Sequence, residues 1–531
     1  MTQSAVEETV VQESRVDAVS GFVQRYGRVF SIVLLILIAG AAAAQSALKP
    51  FWWDELASLD IAGLPYFSDV WSFFRAGLDT PSPIPTMVVH ATLQLIGSSE
   101  VLVRTPFTVG FLLMCLCLYG ITARRYGAGY GLAALLLPAI SGTFYYASEL
   151  RTYGIILGAI SVAIYCWQRA ERGGTVRIFA IAGVFVGLTT AILCHIFSIF
   201  VLVPFALAQL VRDRRAHRID FAAWAAIALA PVPLLIELPG MQAAHRTYAG
   251  AFWSKPHSGE ILFSYSYALG TGWMIAVLCV LMAWPRLAKL ASASNTPEND
   301  RGFDAAEWTL IGSLAVLPWI AWPLSHFVGV YVPRYVLPLT IGVVLIVVAG
   351  VAEALKRNRA AGAALSVAFL LVFVHDKLPE VKSALHFHES LAAALARQPM
   401  VQALEDSPLP VVAPNTPVYT QLQHYLPPQL EQKLYYTLNT PDAIRPEEDR
   451  DAELSMRLFS TRLPLRVEEF SQFTREHPSF LVIVKNSLEH SGVSGNLSVR
   501  WIGSYGTGLE YGFSAHSTCM ATIVLQPLGL S

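Results

Sequence analysis

Apolar residues arrive in long blocks between short polar breaks from Val29 to His375, and the pattern changes after that point. A helix rises about 1.5 Å per residue, so roughly 20 apolar residues cross the hydrocarbon core of a bilayer. The blocks are Val29–Leu48, Val101–Thr122, Gly131–Tyr146, Tyr153–Trp167, Ile178–Cys194, Phe197–Val211, Phe221–Leu238, Leu269–Trp284, Trp308–His326, Tyr335–Leu355 and Gly362–His375. They predict a polytopic α-helical membrane protein with about 11 transmembrane helices, several short or interrupted by proline. Further spans follow the first block, so it reads as an uncleaved helix rather than a signal peptide. The run Ile84–Ile96 covers only about 13 residues and reads as an amphipathic helix lying on the membrane.

Residues 377–531 are more polar and Pro-rich. The short runs LPVVA, VYTQL, FLVIVKN, LSVRWIG and ATIVLQ predict strands, and Glu389–Leu404 and Arg466–Glu476 predict helices. That alternation implies a small α/β domain. The polar N-terminus (1–20) and the loop Ala291–Asp304 are expected to lack regular structure.

Composition agrees with the membrane reading. The 531 residues are 54% apolar and only 14% charged, where a soluble chain carries about 25%. The net charge of −1 gives no footprint for nucleic acid, and the lipid bilayer is the partner the sequence implies. The six cysteines form no zinc spacing or disulfide framework, and neither a metal nor another cofactor is called for.

Basic residues then orient the chain. Arg25/Arg28, Arg124/Arg125, Arg169/Arg172/Arg177, Arg212/Arg214/Arg215/Arg218, Arg286/Lys289 and Lys356/Arg357/Arg359 fall on one side of this threading. The opposite loops hold only Lys49, Arg75, Arg104, Arg151, Arg246, Lys255 and Arg334. By the positive-inside rule the N-terminus (1–28) is cytoplasmic, 29–376 forms the membrane domain, and the first outer loop spans about 49–100. The α/β domain (377–531) is then extracytoplasmic, and the protein is multi-pass in the plasma (inner) membrane.

Several ionisable residues collect on that outer face. They are Asp54 and Glu55 in FWWDELASLDIAG, Glu149 and Arg151 in YYASELRTYG, His195 in AILCHIFS, and Arg334 in VGVYVPRYVLP. An idle charge at a span end costs insertion energy, so each is a candidate for function. Structural roles compete: a helix N-terminus favours Asp54 and Glu55, Glu149 pairs with Arg151, His195 is an interfacial histidine, and Arg334 snorkels. Their convergence on one face favours the functional reading.

These motifs in series resemble the GT-C membrane glycosyltransferases, specifically the dolichyl-phosphate-mannose–protein mannosyltransferase-like members. FWWDELAS resembles their W-x-DE-x-x-S loop, and YYASELRTYG, CHIFS and PRYVLPL are similar to later motifs in the same order. Ser82–Thr86 and Ile196 depart from the family pattern by lacking its aromatics. The resemblance implies sugar transfer from a polyprenyl-phosphate-linked donor to an envelope acceptor (glycan, lipid or protein), with inversion. It makes Asp54 the base, Glu55 an acceptor-orienting group, and Arg151, Arg334, Glu149 and His195 contacts to donor phosphate or sugar. Two rivals stand beside it: a polytopic transporter, which would carry repeats and midplane charges, and a non-catalytic envelope-assembly protein with a GT-C-like fold.

Overall fold

The computed structural model describes residues 3–79, 82–248, 256–293, 302–387, 390–397, 401, 404–413, 415–440, 450–486, 496–502, 510–516 and 520–526. Most of the predicted Ala291–Asp304 loop, Lys255 and Cys519 lie outside them.

The chain opens with α1 (Gln3–Leu48). The N-terminal stretch expected to be irregular is part of this helix. It holds no proline and no glycine before Gly21, and helix propagation adds one hydrogen bond per residue fixed. The first loop folds into α2 (Trp53–Ala62), α3 (Phe67–Arg75) and α4 (Pro83–Leu95). The membrane region continues through α5 (Glu100–Tyr126), α6 (Ala128–Leu136), α7 (Tyr153–Arg169), α8 (Gly174–Cys194) and α9 (Leu202–Ala216). It ends with α10 (Phe221–Leu229), α11 (Leu238–Tyr248), α12 (Gly259–Ala293), α13 (Ala305–Ala315), α14 (Leu317–Val328), α15 (Leu339–Ala354) and α16 (Arg359–His386).

Every predicted span meets one of these helices or a consecutive pair, but Gly131–Tyr146 is α-helical only as far as Leu136 and continues as two short 3-10 turns, Leu137–Ile140 and Gly142–Ala147. By length and composition alone, five helices among the described residues can cross a membrane, or up to seven if each bent pair is one span. The remaining blocks sit on α6, α7 and α15, which are shorter, and on α12, which Gly270 breaks with φ +66°. Two bent pairs turn by 63° (Phe221–Ile236 with Leu238–Tyr248) and 53° (Ala305–Ala315 with Leu317–His326).

Helices α5 and α7 touch backbone to backbone. A Cβ on Gly154 would strike the Phe107 carbonyl, and one on Gly158 the Gly110 carbonyl. Small residues four apart let two helices approach this closely. At the far end of the bundle, Glu307 on α13 accepts from Gln168 (2.7 Å) and pairs with Arg125 (2.7 Å), which joins the ends of α5, α7 and α13.

The C-terminal region carries α17 (Leu391–Ala396), α18 (Thr416–Tyr425), α19 (Pro428–Glu431), α20 (Arg450–Phe459) and α21 (Phe470–Glu476) around one sheet. Its strands are β1 (Val411–Val412), β2 (Leu434–Leu438), β3 (Val467–Glu469), β4 (Phe480–Asn486), β5 (Asn496–Ile502), β6 (Glu510–His516) and β7 (Met520–Gln526). The order is β3-β2-β1-β4-β5-β6-β7. Pairing is parallel from β3 to β4 (Val411 opposite Leu434 and Leu481) and antiparallel from β4 to β7. An α/β unit was expected, but VYTQL is helical, not a strand. Asn415 caps α18 by accepting from Val418 N (3.0 Å), and Pro417 fits its first turn. Local capping overrides the β-branched composition there.

This region is fastened to the first loop. Phe51 N donates to the Tyr425 hydroxyl (2.9 Å), and Gln421 Nε2 donates to the Phe51 carbonyl (2.9 Å).

Candidate functional site

Helix α2 starts one residue after Trp52, so Asp54 and Glu55 fall in its first turn, where neighbours point about 100° apart. The two carboxylates consequently face different surroundings. Asp54 lines a cavity of about 270 Å³. Its Oδ2 sits 3.1 Å from Arg151 Nη2 and 3.4 Å from Arg334 Nη2. Arg151 comes from the turn before α7 and Arg334 from the short helical turn before α15, so three distant segments meet at one carboxylate.

Glu55 faces the scaffold. Its Oε1 accepts from Arg104 Nε (2.8 Å) and Leu150 N (2.6 Å), and its Oε2 from Arg104 Nη2 (2.7 Å) and Trp52 N (3.3 Å). Both side chains of the pair have 0% exposure. Glu55, expected from sequence to orient the acceptor, thus has its carboxylate occupied by four donors away from the cavity. Arg104, read from sequence as an interfacial anchor, is corrected. It is fully buried and donates to the carbonyls of Ser46 (2.9 Å), Lys49 (2.8 Å) and Pro50 (3.3 Å) as well. The signal was present, since Arg104 lies a turn inside an apolar helix, where a charge needs a partner.

Through Leu150, Glu55 holds the turn that presents Glu149 on one side and Arg151 on the other. Glu149 lines a second cavity of about 240 Å³ with Tyr145, Tyr146, Tyr153 and Tyr267, and Arg151 and Arg334 line both cavities. Its carboxylate is 1% exposed, lies 3.8 Å from Lys49 Nζ, and neither oxygen has a hydrogen-bond partner of ordinary geometry. Burial pushes its pKa up to about 7 against the opposing pull of Lys49. Burial likewise lowers Lys49, whose ammonium lies 3.6 Å from the Tyr145 ring centroid.

His195 completes the group. It stands between α8 and α9, its Nδ1 accepts from Phe197 N (3.3 Å), and its ring lies 4.4 Å from that of Tyr335. Burial, then the charges of Arg151 and Arg334, lower its pKa to about 3. That shift favours the neutral imidazole over the cation. Of the six sequence candidates, five border the two cavities and Glu55 braces them from behind. Sequence reasoning missed Lys49 and Tyr267, which lie in no quoted motif, and Tyr153, which lies in YYASELRTYG but bears no charge at neutral pH to single it out. No group of three or more His, Cys, Asp or Glu side chains among the described residues is placed to hold a metal ion.

Residues 79–236 match the family model described as dolichyl-phosphate-mannose-protein mannosyltransferase. The fold is similar to that of ArnT from Cupriavidus metallidurans in the apo state, with a TM-score of 0.51 and 13% identity over 86% of this chain and 92% of that one. ArnT bound to undecaprenyl phosphate gives the same score and identity, with 86% and 93% covered. No curated protein matches the sequence. The chain thus shares the ArnT fold, and within it residues 79–236 are similar to the mannosyltransferase family model, in line with the resemblance its motifs carried.

Proposed function

We propose that the protein transfers a sugar from a polyprenyl-phosphate carrier to a hydroxyl of an envelope glycan, lipid or protein, with Asp54 as the base. The observation that carries this reading is the junction of Asp54 with Arg151 and Arg334 on a cavity wall. Two guanidinium groups against one carboxylate leave a positive charge that an arriving phosphate balances. A planar fork suits phosphate oxygens bidentately. The undecaprenyl phosphate bound by ArnT has this chemistry.

The residues divide the work as the reaction requires. The acceptor hydroxyl loses its proton to Asp54 as its oxygen bonds to the anomeric carbon from the face opposite the phosphate. The bond from that carbon to the phosphate oxygen breaks, and its electron pair leaves with the phosphate. A glycosidase needs an acid to protonate a poor leaving group. A lipid phosphate leaves as a stable anion, so one base and a cationic clamp suffice. Glu149 accepts hydrogen bonds from sugar hydroxyls, and His195 contacts the donor as a neutral ring. The carrier's tail stays in the inner membrane, with the active site and residues 377–531 on the extracytoplasmic side.

Mass analysis of envelope glycolipids and glycoproteins, with and without the protein, tests this reading. Loss of one glycosyl modification is expected. Identical profiles under conditions where the protein is expressed contradict it.

A further inference from the structure

The cavity holding Asp54 has a wall supplied by the C-terminal region. Ser455 and Phe459 lie four residues apart on α20, share one helix face, and both line the cavity. Phe459 stacks on Trp53, the neighbour of Asp54, with centroids 6.2 Å apart at 24°. It also meets Phe73 of α3 edge-on at 5.3 Å. Ser455 Oγ lies 3.2 Å from the Tyr248 hydroxyl, which donates to the Leu78 carbonyl (2.8 Å). Helix α20 is thus tied to α2, α3 and α11 around the cavity. Arg457, on its other side, is exposed and pairs with Glu469 at 2.8 Å.

Resting on the transferase reading above, we propose that α20 forms part of the acceptor site and that the acceptor unit is a saccharide ring. One ring hydroxyl reaches Asp54, while Trp53, Ser455 and Phe459 set which saccharide is accepted. Three observations carry this. The cavity, about 270 Å³, suits a ring-sized group and falls just below the volume of sites for drug-sized ligands. Its wall combines the hydroxyls of Ser58, Ser82 and Ser455 with the aromatic surface of Trp53. Ser58 and Ser82 donate to the Asp54 and Leu193 carbonyls and so offer lone pairs to the hydroxyls of a polyhydroxylated ligand, and an electron-rich ring face attracts the weakly positive C–H groups of a sugar. Strand addition, one way to hold an extended peptide, has no edge to use here, since no described strand lines this cavity.

The test uses the full chain in nanodiscs. Binding of methyl glycosides of mannose, glucose and galactose is followed by saturation-transfer NMR, with a Ser/Thr peptide as the competing ligand. Binding of undecaprenyl phosphate is measured in parallel. At least one glycoside should bind, and Ser455→Ala and Phe459→Leu should weaken it by about fivefold, the scale of one hydrogen bond. Undecaprenyl phosphate should bind these variants as it binds wild type, and Arg457→Ala should change neither ligand. No glycoside binding, with or without peptide binding, overturns the proposal. So does unaltered binding in both cavity variants, or equal weakening in Arg457→Ala. Failure of undecaprenyl phosphate to bind the wild type strikes the transferase reading itself.

Discussion

Glu55 and Arg104 are joined by two buried hydrogen bonds, Nε to Oε1 at 2.8 Å and Nη2 to Oε2 at 2.7 Å. One guanidinium thereby connects α5, the start of α2 and three carbonyls at and just past the end of α1. Two adjacent carboxylates thus have separate duties, Asp54 toward the cavity and Glu55 toward the frame that aims it.

Breaking that frame should cost stability first and activity as a consequence. Removing one partner of a buried pair leaves an uncompensated charge, at about 3–5 kcal/mol. Arg104→Lys keeps the charge but cannot reproduce the fork and the three carbonyl bonds. Both Arg104→Lys and Glu55→Gln should lower the thermal midpoint in detergent, read by fluorescence-detected size exclusion. Wild-type midpoints would show that the pair is dispensable.

The phosphate clamp predicts a different signature. Arg151→Lys and Arg334→Lys should preserve folding and slow transfer at saturating donor by about two to three decades, or 2–4 kcal/mol of barrier. The exposed Arg475 of α21 is the proper control. Rates within a factor of about two of wild type in both variants would remove the arginines from the mechanism.

The fold was legible wherever one physical signal dominated. Apolar block length placed the membrane helices, and the interruptions at Gly270 and near Val316 were not readable from hydropathy. At the site, charge at a span end marked Asp54, Arg151, His195 and Arg334. It could not tell an inward carboxylate from a bracing one, because that depends on Arg104 reaching Glu55 from 49 positions away. The share of the Asp54 cavity supplied by Ser455 and Phe459 was invisible for the same reason. A small helix in a separate region carries no sequence mark of where it docks.

Glu149 should impose a pH dependence on stability. Burial holds its carboxyl at about 7 against an ordinary 4.5. The folded protein keeps a proton that the unfolded chain has released across that window. Stability from this group is complete below about pH 4.5 and lost as pH rises through about 7, with a ceiling of ~3 kcal/mol. Glu149→Gln should flatten the change in thermal midpoint between pH 5 and pH 8 (roughly the span of that titration). An equal change in wild type and variant would contradict the assignment.

The α5–α7 contact should tolerate no side chain. Gly158→Val places branched carbons against the Gly110 carbonyl and must push the helices apart. Because α7 begins just after Arg151, both thermal midpoint and transfer rate should fall. The exposed Gly173 is the control, since an added Cβ there meets nothing within 4 Å. Equal behaviour of Gly158→Val and Gly173→Val would show that the close approach is unimportant.

The central claim is that Asp54 takes the acceptor proton, and one comparison tests it most directly. Purified wild type and Asp54→Asn are assayed for sugar transfer from the polyprenyl-phosphate donor, with undecaprenyl phosphate binding measured on the same samples. The amide keeps the shape and removes the base, a loss of about 10²–10⁴ in rate. The account predicts that transfer falls by at least that factor, while undecaprenyl phosphate binds no more weakly, since Arg151 and Arg334 no longer face a competing carboxylate. Wild-type transfer by Asp54→Asn would contradict it.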